Sequence, residues 1–316
     1  MSSAQIDHPS AWTGREIGGR EGLTHRVSAA QLAAIDGLVQ AVRGRDFPEI
    51  TRADFSHPAV DALMQAARHQ VMHGHGAIIL SGFDVARYSV EDYALLYWGL
   101  GTHLGRGAVQ SHRGDFMGYV RREENGQARG YTTDMELRSH TDFHEILSLA
   151  AVSGSASGGE SGLVSALAIH NAIARERPEL LAPLYAGAVV EYPRGEWRRQ
   201  VPIFCEEQGR ISCFCNRVFM PADEMPPELK EALAFFDDVA ARPEVRADFM
   251  LEPGEMVFWH NYQMLHSRRS FADTAEQKRL LLRLWLNVPE GRPMAAPIRE
   301  LTRRIDASHA GMALLA

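Results

Sequence analysis

The segment SHTDFHEILSLAAV, from Ser139 to Val152, joins a His-x-Asp tripeptide to a short apolar run. Two comparable runs lie nearby, MGYV beginning at Met117 and GLVSA beginning at Gly162, and clusters of Gly, Ser and polar residues separate the three. Short apolar runs with such interruptions are typical of β-sandwiches and barrels. The centre of the chain is therefore predicted to consist mainly of strands.

Helical patterns precede this central region. SAAQLAAIDGLVQAV, which begins at Ser28, has a Ser in capping position and apolar residues at helical spacing. HPAVDALMQAARHQVMHG has Pro58 in its first turn and Gly74 at its end, which predicts a second helix. AIILSGF, which begins at Ala77, predicts a buried strand, and another helix is predicted from Val90.

Strands are also predicted toward the C-terminus. PIFCEEQGRISCF is interpreted as a hairpin that turns at Gln208-Gly209. MVFWHNY and LLLRLWLNV are interpreted as strands, and a helical segment from Ala168 to about Leu184 is expected to break at Pro178. We expect a single domain over residues 1–316, with N-terminal helices at 28–74, a core at about 77–289 and the last residues as a flexible tail.

The composition is that of a globular protein. Hydrophobic residues make up 45% and charged residues 23% of 316 residues, so the chain can bury a sizeable core. The net charge of −7 argues against a broad basic surface for nucleic acid, and a small-molecule partner is expected instead. No apolar run approaches the ~20 residues of a membrane span, and the N-terminus lacks a leader pattern, so a cytoplasmic location is expected. The three cysteines are too few for a disulfide framework.

The tripeptide His140-Thr141-Asp142 is a candidate for metal binding. In a strand, residues i and i+2 point to the same face, so an imidazole and a carboxylate can reach one ion. A third ligand must come from elsewhere in the chain. Two imidazoles and one carboxylate leave open coordination positions and suit non-haem Fe(II) oxygenases. A surface His beside a carboxylate is the other interpretation of this tripeptide.

A second segment adds candidates. EPGEMVFWHNYQMLHSRRSF begins with an acidic Pro-Gly turn, continues as an apolar strand and reaches His266 after a polar loop. Further on, Arg283 interrupts the apolar run LLLRLWL. A guanidinium is costly to bury without a partner. It is interpreted either as part of a structural ion pair, as a residue on a wet strand face, or as a bidentate clamp for a dicarboxylate.

The order HTD, SGGES, EPGEMVFWHNYQMLHSR and KRLLLRLWL resembles the taurine dioxygenase and clavaminate synthase-like family of Fe(II)- and 2-oxoglutarate-dependent oxygenases, over roughly residues 77–289. The resemblance implies a mainly β fold with flanking helices, the distorted double-stranded β-helix or cupin-like jelly roll. It implies Fe(II) as cofactor, with 2-oxoglutarate and O2 as co-substrates. The expected reaction is oxidation of a small organic substrate by hydroxylation, desaturation or cyclisation, with release of succinate and CO2.

The resemblance also implies a metal site. His140 and Asp142 match the family's proximal ligands, and His266 matches the distal one. The carboxylate of Asp142 separates this chain from relatives that halogenate, in which a small residue stands at that position. His260 is interpreted as structural, whereas His144 is placed either at the cavity mouth or at a partly exposed barrel end.

The same resemblance implies three contacts to the co-substrate. Arg283 matches the residue that pairs with the far carboxylate of 2-oxoglutarate. Arg279 matches a second family arginine near the keto-acid end, and Ser161 stands where the family commonly has a Thr that contacts the same molecule.

Residues before the His-x-Asp strand and on facing strands are candidates for the substrate pocket, although each is also interpreted as surface or framework. They are Gln110, Tyr131, Thr133, Asp134, Arg138, Asn216 and Arg217. As a hypothesis, an arginine at 138 or 217 pairs with a substrate carboxylate and the carboxylate at 134 with an amine. The expected substrate is then an amino acid or a small organic acid.

Two other classes of protein are compatible with these residues. A barrel of the same architecture can bind a ligand or metal without catalysis, because a fold does not fix a function. A zinc hydrolase can use the same His, Asp and His set. The resemblance to oxygenases of this family is compatible with a homo-oligomer, and no nucleic-acid or membrane partner is expected.

Overall fold

The computed structural model describes residues 5–111, 114–122, 133–192, 197–289 and 291–313, with side chains of the last helix described to residue 308. The helices are α1 Gly14–Ile17, α2 Gly19–Leu23, α3 Ala29–Val42, α4 Pro58–Met72, α5 Val90–Gly101, α6 Ala166–Glu176, α7 Leu181–Ala186, α8 Pro227–Ala241 and α9 Ala296–Ala313. The strands are β1 Thr24–Arg26, β2 Ala77–Ser81, β3 Arg106–Gly107, β4 Gly118–Val120, β5 Leu137–His140, β6 Ile146–Ser153, β7 Ser157–Gly158, β8 Ser161–Ser165, β9 Ala188–Tyr192, β10 Trp197–Val201, β11 Phe204–Glu207, β12 Arg210–Cys213, β13 Arg246–Phe249, β14 Met256–His260, β15 Met264–Arg268, β16 Phe271–Ala272 and β17 Leu280–Asn287.

Two sheets form the centre of the molecule. The larger has seven strands in the order β1-β2-β14-β6-β17-β3, with β4 also paired to β17. The smaller has the order β13-β8-β15-β5. Only the β1–β2 pair is parallel among the described pairings of these two sheets. The prediction of strands at the centre with helices around them is confirmed.

Side chains alternate between two cores along the strands of the larger sheet. On β17, Leu282 and Leu284 pack into a core shared with the N-terminal helices. Leu281 instead packs into a core with Trp259 and with Leu163 of the smaller sheet. Successive side chains of a strand point to opposite faces, so Arg283 shares the face of Leu281 and lies between the sheets.

Local sequence signals fix several element boundaries. Helix α3 begins after Ser28, whose hydroxyl accepts from the Gln31 backbone N–H while the Gln31 side chain returns to the Ser28 N–H. This reciprocal capping box satisfies two otherwise unpaired donors. The predicted hairpin turns at Gln208 and Gly209, which both have positive φ, as a tight two-residue hairpin turn requires. The predicted helix break also occurs, since a 3-10 turn at Pro178–Leu180 separates α6 from α7.

The prediction of a flexible C-terminal tail is wrong. Residues 296–313 form α9, and Ile298, Leu301 and Ile305 of this helix are buried in a core with Phe143 and Met294. Their spacing places them on one helical face, which supplies the apolar surface that holds the segment against the barrel. Helix α8 was not predicted either, although Leu229, Leu233 and Phe236 repeat at helical spacing in the sequence PELKEALAFFDDVAA.

Among the described residues, no helix is both long and apolar enough to cross a membrane.

Candidate active site

His140, Asp142 and His266 come together at one end of the smaller sheet. His140 ends β5 and lies in register opposite His266 on β15, and the ring centroids are 4.1 Å apart. His140 Nε2 is 3.8 Å from Asp142 Oδ1. One ligand atom from each of the three residues lies within 4.8 Å of the other two, so the group could hold a metal ion.

The position of Asp142 differs in one respect from the sequence-based expectation. Strand β5 ends at His140, so Asp142 belongs to the following loop and not to the strand. The side chain of Asn261 holds this loop: its Oδ1 accepts from the Asp142 N–H at 2.9 Å, and its Nδ2 donates to the carbonyls of Asp142 at 2.7 Å and His144 at 2.9 Å. These bonds replace a strand ladder and leave the Asp142 carboxylate beside the two imidazoles.

The protonation states in the triad suit metal binding. Burial lowers the pKa of His266 to about 3, and the neighbouring His140 adds to this effect. Burial would raise the pKa of Asp142, but the combined influence of His266, His140, Arg283 and His144 outweighs it and the pKa is lowered overall. His140 Nδ1 donates to the Arg138 carbonyl at 2.8 Å, which leaves Nε2 as the ligand nitrogen. Two imidazoles and a carboxylate form the donor set that suits non-haem Fe(II).

A pair of buried arginines lies beyond the triad, beside Phe271. The guanidinium carbons of Arg268 and Arg279 are 5.0 and 5.2 Å from the centre of its ring. Burial lowers the pKa of each to about 10, and for Arg279 the charge of Arg268 contributes as well. Both remain cationic near neutral pH. Arg268 lies opposite Ser161 in the pairing of β15 with β8, which places that hydroxyl-bearing residue in the same region.

Arg279 has hydrogen-bonding capacity to spare. Its Nη1 is buried and has no hydrogen-bond partner among the described residues. A Cβ at Gly159 would lie 3.3 Å from Arg279 Nε, and Gly159 has a φ of +86°. A glycine is therefore needed there both for the backbone conformation and for the close approach of the guanidinium. A buried donor without a partner marks a place where an anionic ligand would be stabilised.

Arg283 has different surroundings. Its guanidinium carbon is 4.4 Å from the centre of the Trp285 ring, and its Nε donates to Gln110 Oε1 at 2.8 Å. Its charge contributes to the lowered pKa of both Asp142 and His266. Arg283 is therefore electrostatically coupled to the triad.

Comparison with known proteins identifies the family. The family model described as "Taurine catabolism dioxygenase TauD, TfdA family" matches residues 40–285. The chain belongs to this family. It is 33% identical over 245 residues to FR-33289 synthase of Streptomyces rubellomurinus, an alignment that covers 71% of this chain and 72% of the relative. It is also 29% identical over 181 residues to uridine-5'-phosphate dioxygenase of a Streptomyces species, covering 52% of this chain and 64% of that protein.

Solved structures show the same fold. An asparagine oxygenase in complex with Fe(II), 2S,3S-3-hydroxyasparagine and succinate is similar with a TM-score of 0.69 at 12% identity, covering 84% of this chain and 93% of the other. The non-haem iron oxygenase OrfP in complex with Fe and α-ketoglutaric acid has a TM-score of 0.65 at 16% identity, with coverage of 84% and 94%. The predicted double-stranded β-helix is confirmed. The protein is an Fe(II)- and 2-oxoglutarate-dependent dioxygenase, as the sequence predicted.

Several residues predicted for the substrate pocket of this oxygenase have protein partners instead. Gln110 is buried and contacts Arg283, and its Nε2 also donates to the Arg283 carbonyl. Asn216 is buried, and its Nδ2 donates to the Thr141 carbonyl at 2.9 Å. Gln110 and Asn216 therefore hold other residues of the site, Arg283 and Thr141, by hydrogen bonds.

Two of the charged candidates for the substrate pocket also have protein partners. Arg217 forms an ion pair with Asp237 at 3.0 Å, and Asp134 lies 3.6 Å from Arg122. The Thr133 carbonyl accepts from Arg268 at 2.7 Å. Tyr131 lies outside the described residues.

Arg138 is exposed and forms no ion pair within the described parts of the chain. It is the candidate whose side chain is most available to a substrate.

The structure agrees with the interpretation of one histidine and differs from that of another. His260 is fully buried, with Nε2 3.2 Å from Glu145 Oε1, which agrees with a structural role. His144 is not at a cavity mouth or an exposed barrel end, because its side chain is 1% exposed and its ring stacks on Trp285. Sequence reasoning also missed Asn261 and Arg268. Each had a signal in the sequence. Asn261 directly follows the apolar strand MVFWH, and Arg268 is two residues after His266 on β15.

Proposed function

We propose that His140, Asp142 and His266 hold the Fe(II) of this dioxygenase. The convergence of two imidazoles and one carboxylate from β5, its following loop and β15 is the observation that carries this proposal. When bound, the metal with 2-oxoglutarate and O2 supplies the oxidising power for a substrate C–H bond, while 2-oxoglutarate is converted to succinate and CO2. The side chains of His140, Asp142 and His266 position the ion.

We propose a division of labour between the arginines that reverses the sequence-based match. Arg279, with its unpartnered Nη1 and with Ser161 nearby, is assigned to the far carboxylate of 2-oxoglutarate. Arg283 is assigned to the end of the keto acid that faces the metal, because its charge acts on both Asp142 and His266. The far carboxylate lies several bonds from the chelating atoms, so it needs a cation that is set apart from the triad.

Arg268 supports this arrangement from the side. Its Nη2 donates to the carbonyls of Thr133 and Met135 at 2.7 and 2.6 Å, so its guanidinium is fixed in place. Its charge reinforces the positive potential around Arg279 in a buried region, where electrostatic attraction is strong. We propose that the two cations together favour a dicarboxylate over a monocarboxylate keto acid.

We propose a small organic acid or amino acid as primary substrate, with Arg138 as the candidate contact to its carboxylate. Similar solved structures are complexes with 2S,3S-3-hydroxyasparagine and with (3R,4R)-dihydroxy-L-Arg, which supports an amino acid as the substrate of this chain. The proposed reaction is hydroxylation, desaturation or cyclisation of that substrate. We further propose that residues 1–316 act as one oxygenase domain.

The proposed chemistry is tested by measuring succinate with the anaerobically purified protein after addition of Fe(II), 2-oxoglutarate and O2. We expect slow succinate formation without primary substrate and faster formation with a matching amino acid. Replacement of Fe(II) by Zn(II) is expected to abolish succinate formation. Hydrolytic activity that survives iron chelation and is restored by Zn(II) would instead support a zinc hydrolase.

A further inference from the structure

The side chain of Asp306 on α9 connects two parts of the site. Its Oδ1 accepts from His144 Nε2 at 3.0 Å, and its Oδ2 accepts from Asn287 Nδ2 at 2.8 Å. His144 belongs to the loop that carries Asp142, and Asn287 is the last residue of β17, the strand that carries Arg283. One carboxylate therefore links the loop of residues 141–145, called here the metal-binding loop, to strand β17.

An aromatic stack continues from this carboxylate toward the triad. The His144 ring lies nearly parallel to the Trp285 ring, with an interplanar angle of 16° and centroids 4.8 Å apart. The guanidinium carbon of Arg283 is 4.4 Å from the Trp285 ring. Stacking and cation–π contacts each depend on ring orientation. His144, Trp285 and Arg283 therefore form one continuous series of ring contacts that begins at the Asp306 carboxylate.

Helix α9 is docked firmly enough to hold this carboxylate in place. Ile298, Leu301 and Ile305 are buried in the core, and the Thr302 hydroxyl donates to the Phe143 carbonyl in the metal-binding loop. Arg299 adds an ion pair to Glu207 at 2.9 Å on the hairpin. Helix α9 therefore contacts two parts of the loop, the backbone carbonyl of Phe143 and the side chain of His144.

We propose that Asp306 is a positioning residue for the oxygenase reaction. It holds His144, and through His144 and Trp285 it keeps the Arg283 guanidinium beside the triad. Without the carboxylate, the buried Nε2–H of His144 loses its acceptor, the ring is free to turn, and Arg283 keeps Gln110 as a side-chain partner but loses a fixed aromatic surface. The inference rests on the proposed function in one respect, the assignment of Arg283 to the metal-facing end of the keto acid.

The test is an anaerobic titration of the Fe(II)-loaded full-length protein with 2-oxoglutarate and, separately, with pyruvate, which lacks the far carboxylate. The visible charge-transfer band of the chelate reports binding without turnover. For Asp306→Ala we expect about a three- to tenfold weaker binding of both keto acids, the scale of coupling between residues in contact. Equal loss for the two ligands places the defect at the metal-facing end.

Two further variants separate positioning from a general loss of structure. Asp306→Asn retains an oxygen that can accept from His144, and we expect binding within about twofold of wild type. Arg299→Ala removes another contact of the same helix that does not touch His144, and we expect no change in binding. A Trp285 signal in near-ultraviolet circular dichroism that changes in Asp306→Ala but not in Arg299→Ala would add support independent of the loaded enzyme.

The double variant Asp306→Ala with Arg283→Ala is expected to bind no more weakly than Arg283→Ala alone, because both changes act through one guanidinium. Wild-type affinity in Asp306→Ala, or losses that multiply in the double variant, would overturn the inference. If the wild type itself forms no chelate, the proposed function fails first, so the two failures are distinguishable.

Discussion

His140 and His266 are cross-strand partners, opposite each other on β5 and β15 with ring centroids 4.1 Å apart. A shift of one residue in this register would turn one imidazole to the other face of the sheet. Asp142 comes from the loop that directly follows β5, so the same pairing brings all three candidate ligands together. The register of one strand pair therefore determines whether a metal site exists.

The proposed roles of the two arginines predict different effects on the binding of two keto acids. Arg279→Ala is expected to weaken 2-oxoglutarate binding by about 10- to 100-fold, the loss of a charge-assisted interaction, and to leave pyruvate binding unchanged. Arg283→Ala is expected to weaken both keto acids to a similar extent. The measurement is an anaerobic titration of each variant with both ligands.

The exposed Arg269, which pairs with Asp248, provides a matched control, and Arg269→Ala should bind both keto acids like wild type. The reverse pattern, with selective loss of 2-oxoglutarate in Arg283→Ala, would restore the sequence-based assignment.

The side chain of Asn261 makes three hydrogen bonds to the backbone of the metal-binding loop. Asn261→Ala leaves these buried groups without partners and loosens Asp142. We expect Fe(II) or Mn(II) affinity to fall by about 10- to 100-fold, the usual effect of removing a residue that orients a ligand. Isothermal titration of the metal-free protein with Mn(II) measures this directly.

Asn171 offers a comparison, since its side chain makes two hydrogen bonds to the backbone of Ile6 far along the chain. Asn171→Ala should leave metal affinity unchanged. Equal affinities in the two variants would mean that Asn261 is not needed to orient Asp142.

Helix α9 is expected to contribute to global stability. Leu301 is 1% exposed, and Leu301→Ala should lower the free energy of unfolding by about 2–4 kcal/mol through lost burial and a new cavity. Arg304, on the same helix, is exposed and pairs with Glu300 one turn away, so Arg304→Ala should cost under about 0.5 kcal/mol. Urea unfolding distinguishes them, and equal stabilities would show that the helix does not pack as described.

The comparison of α9 with the metal site shows what a sequence can predict here. A helix was detectable, because Ile298, Leu301 and Ile305 repeat at helical spacing. The surface against which it packs is formed by Phe143, by the hairpin of β11 and β12 and by other segments distant in sequence. Local pattern predicts an element and cannot by itself predict its docking site.

The site divides in the same way. His140 and Asp142 were predicted as ligands from their spacing, and the distant His266 was predicted from the family's motif order. The roles of Arg279 and Arg283 depend instead on which guanidinium lies near the triad, and that depends on how β17 packs between the sheets. Gln110 and Asn216 were predicted for the substrate pocket, and their hydrogen bonds to Arg283 and Thr141 become visible only in three dimensions.

One buried histidine outside the site should make stability depend on pH. His170 is fully buried on α6, and burial lowers its pKa to about 4. In the unfolded chain His170 binds a proton near pH 6.5, whereas in the folded protein it binds one only near pH 4. The free energy of unfolding therefore decreases as the pH falls from about 6.5 to about 4. His170→Gln should remove up to about 3 kcal/mol of this loss.

The measurement is the free energy of unfolding at several pH values in that range, compared with His69→Gln, which changes an exposed histidine. Only the His170 variant should show a flatter profile. Parallel profiles in all three proteins would mean that His170 is protonated in the folded state.

The most direct measurement is the visible charge-transfer band of the anaerobic protein with Fe(II) and 2-oxoglutarate, recorded for wild type, His140→Ala and His266→Ala beside the exposed-site variant His69→Ala. The account predicts a band in wild type and in His69→Ala, and its loss in both triad variants while they remain folded by circular dichroism. An undiminished band in either triad variant, or no band in folded wild type, would contradict the assignment of His140, Asp142 and His266 as the iron ligands.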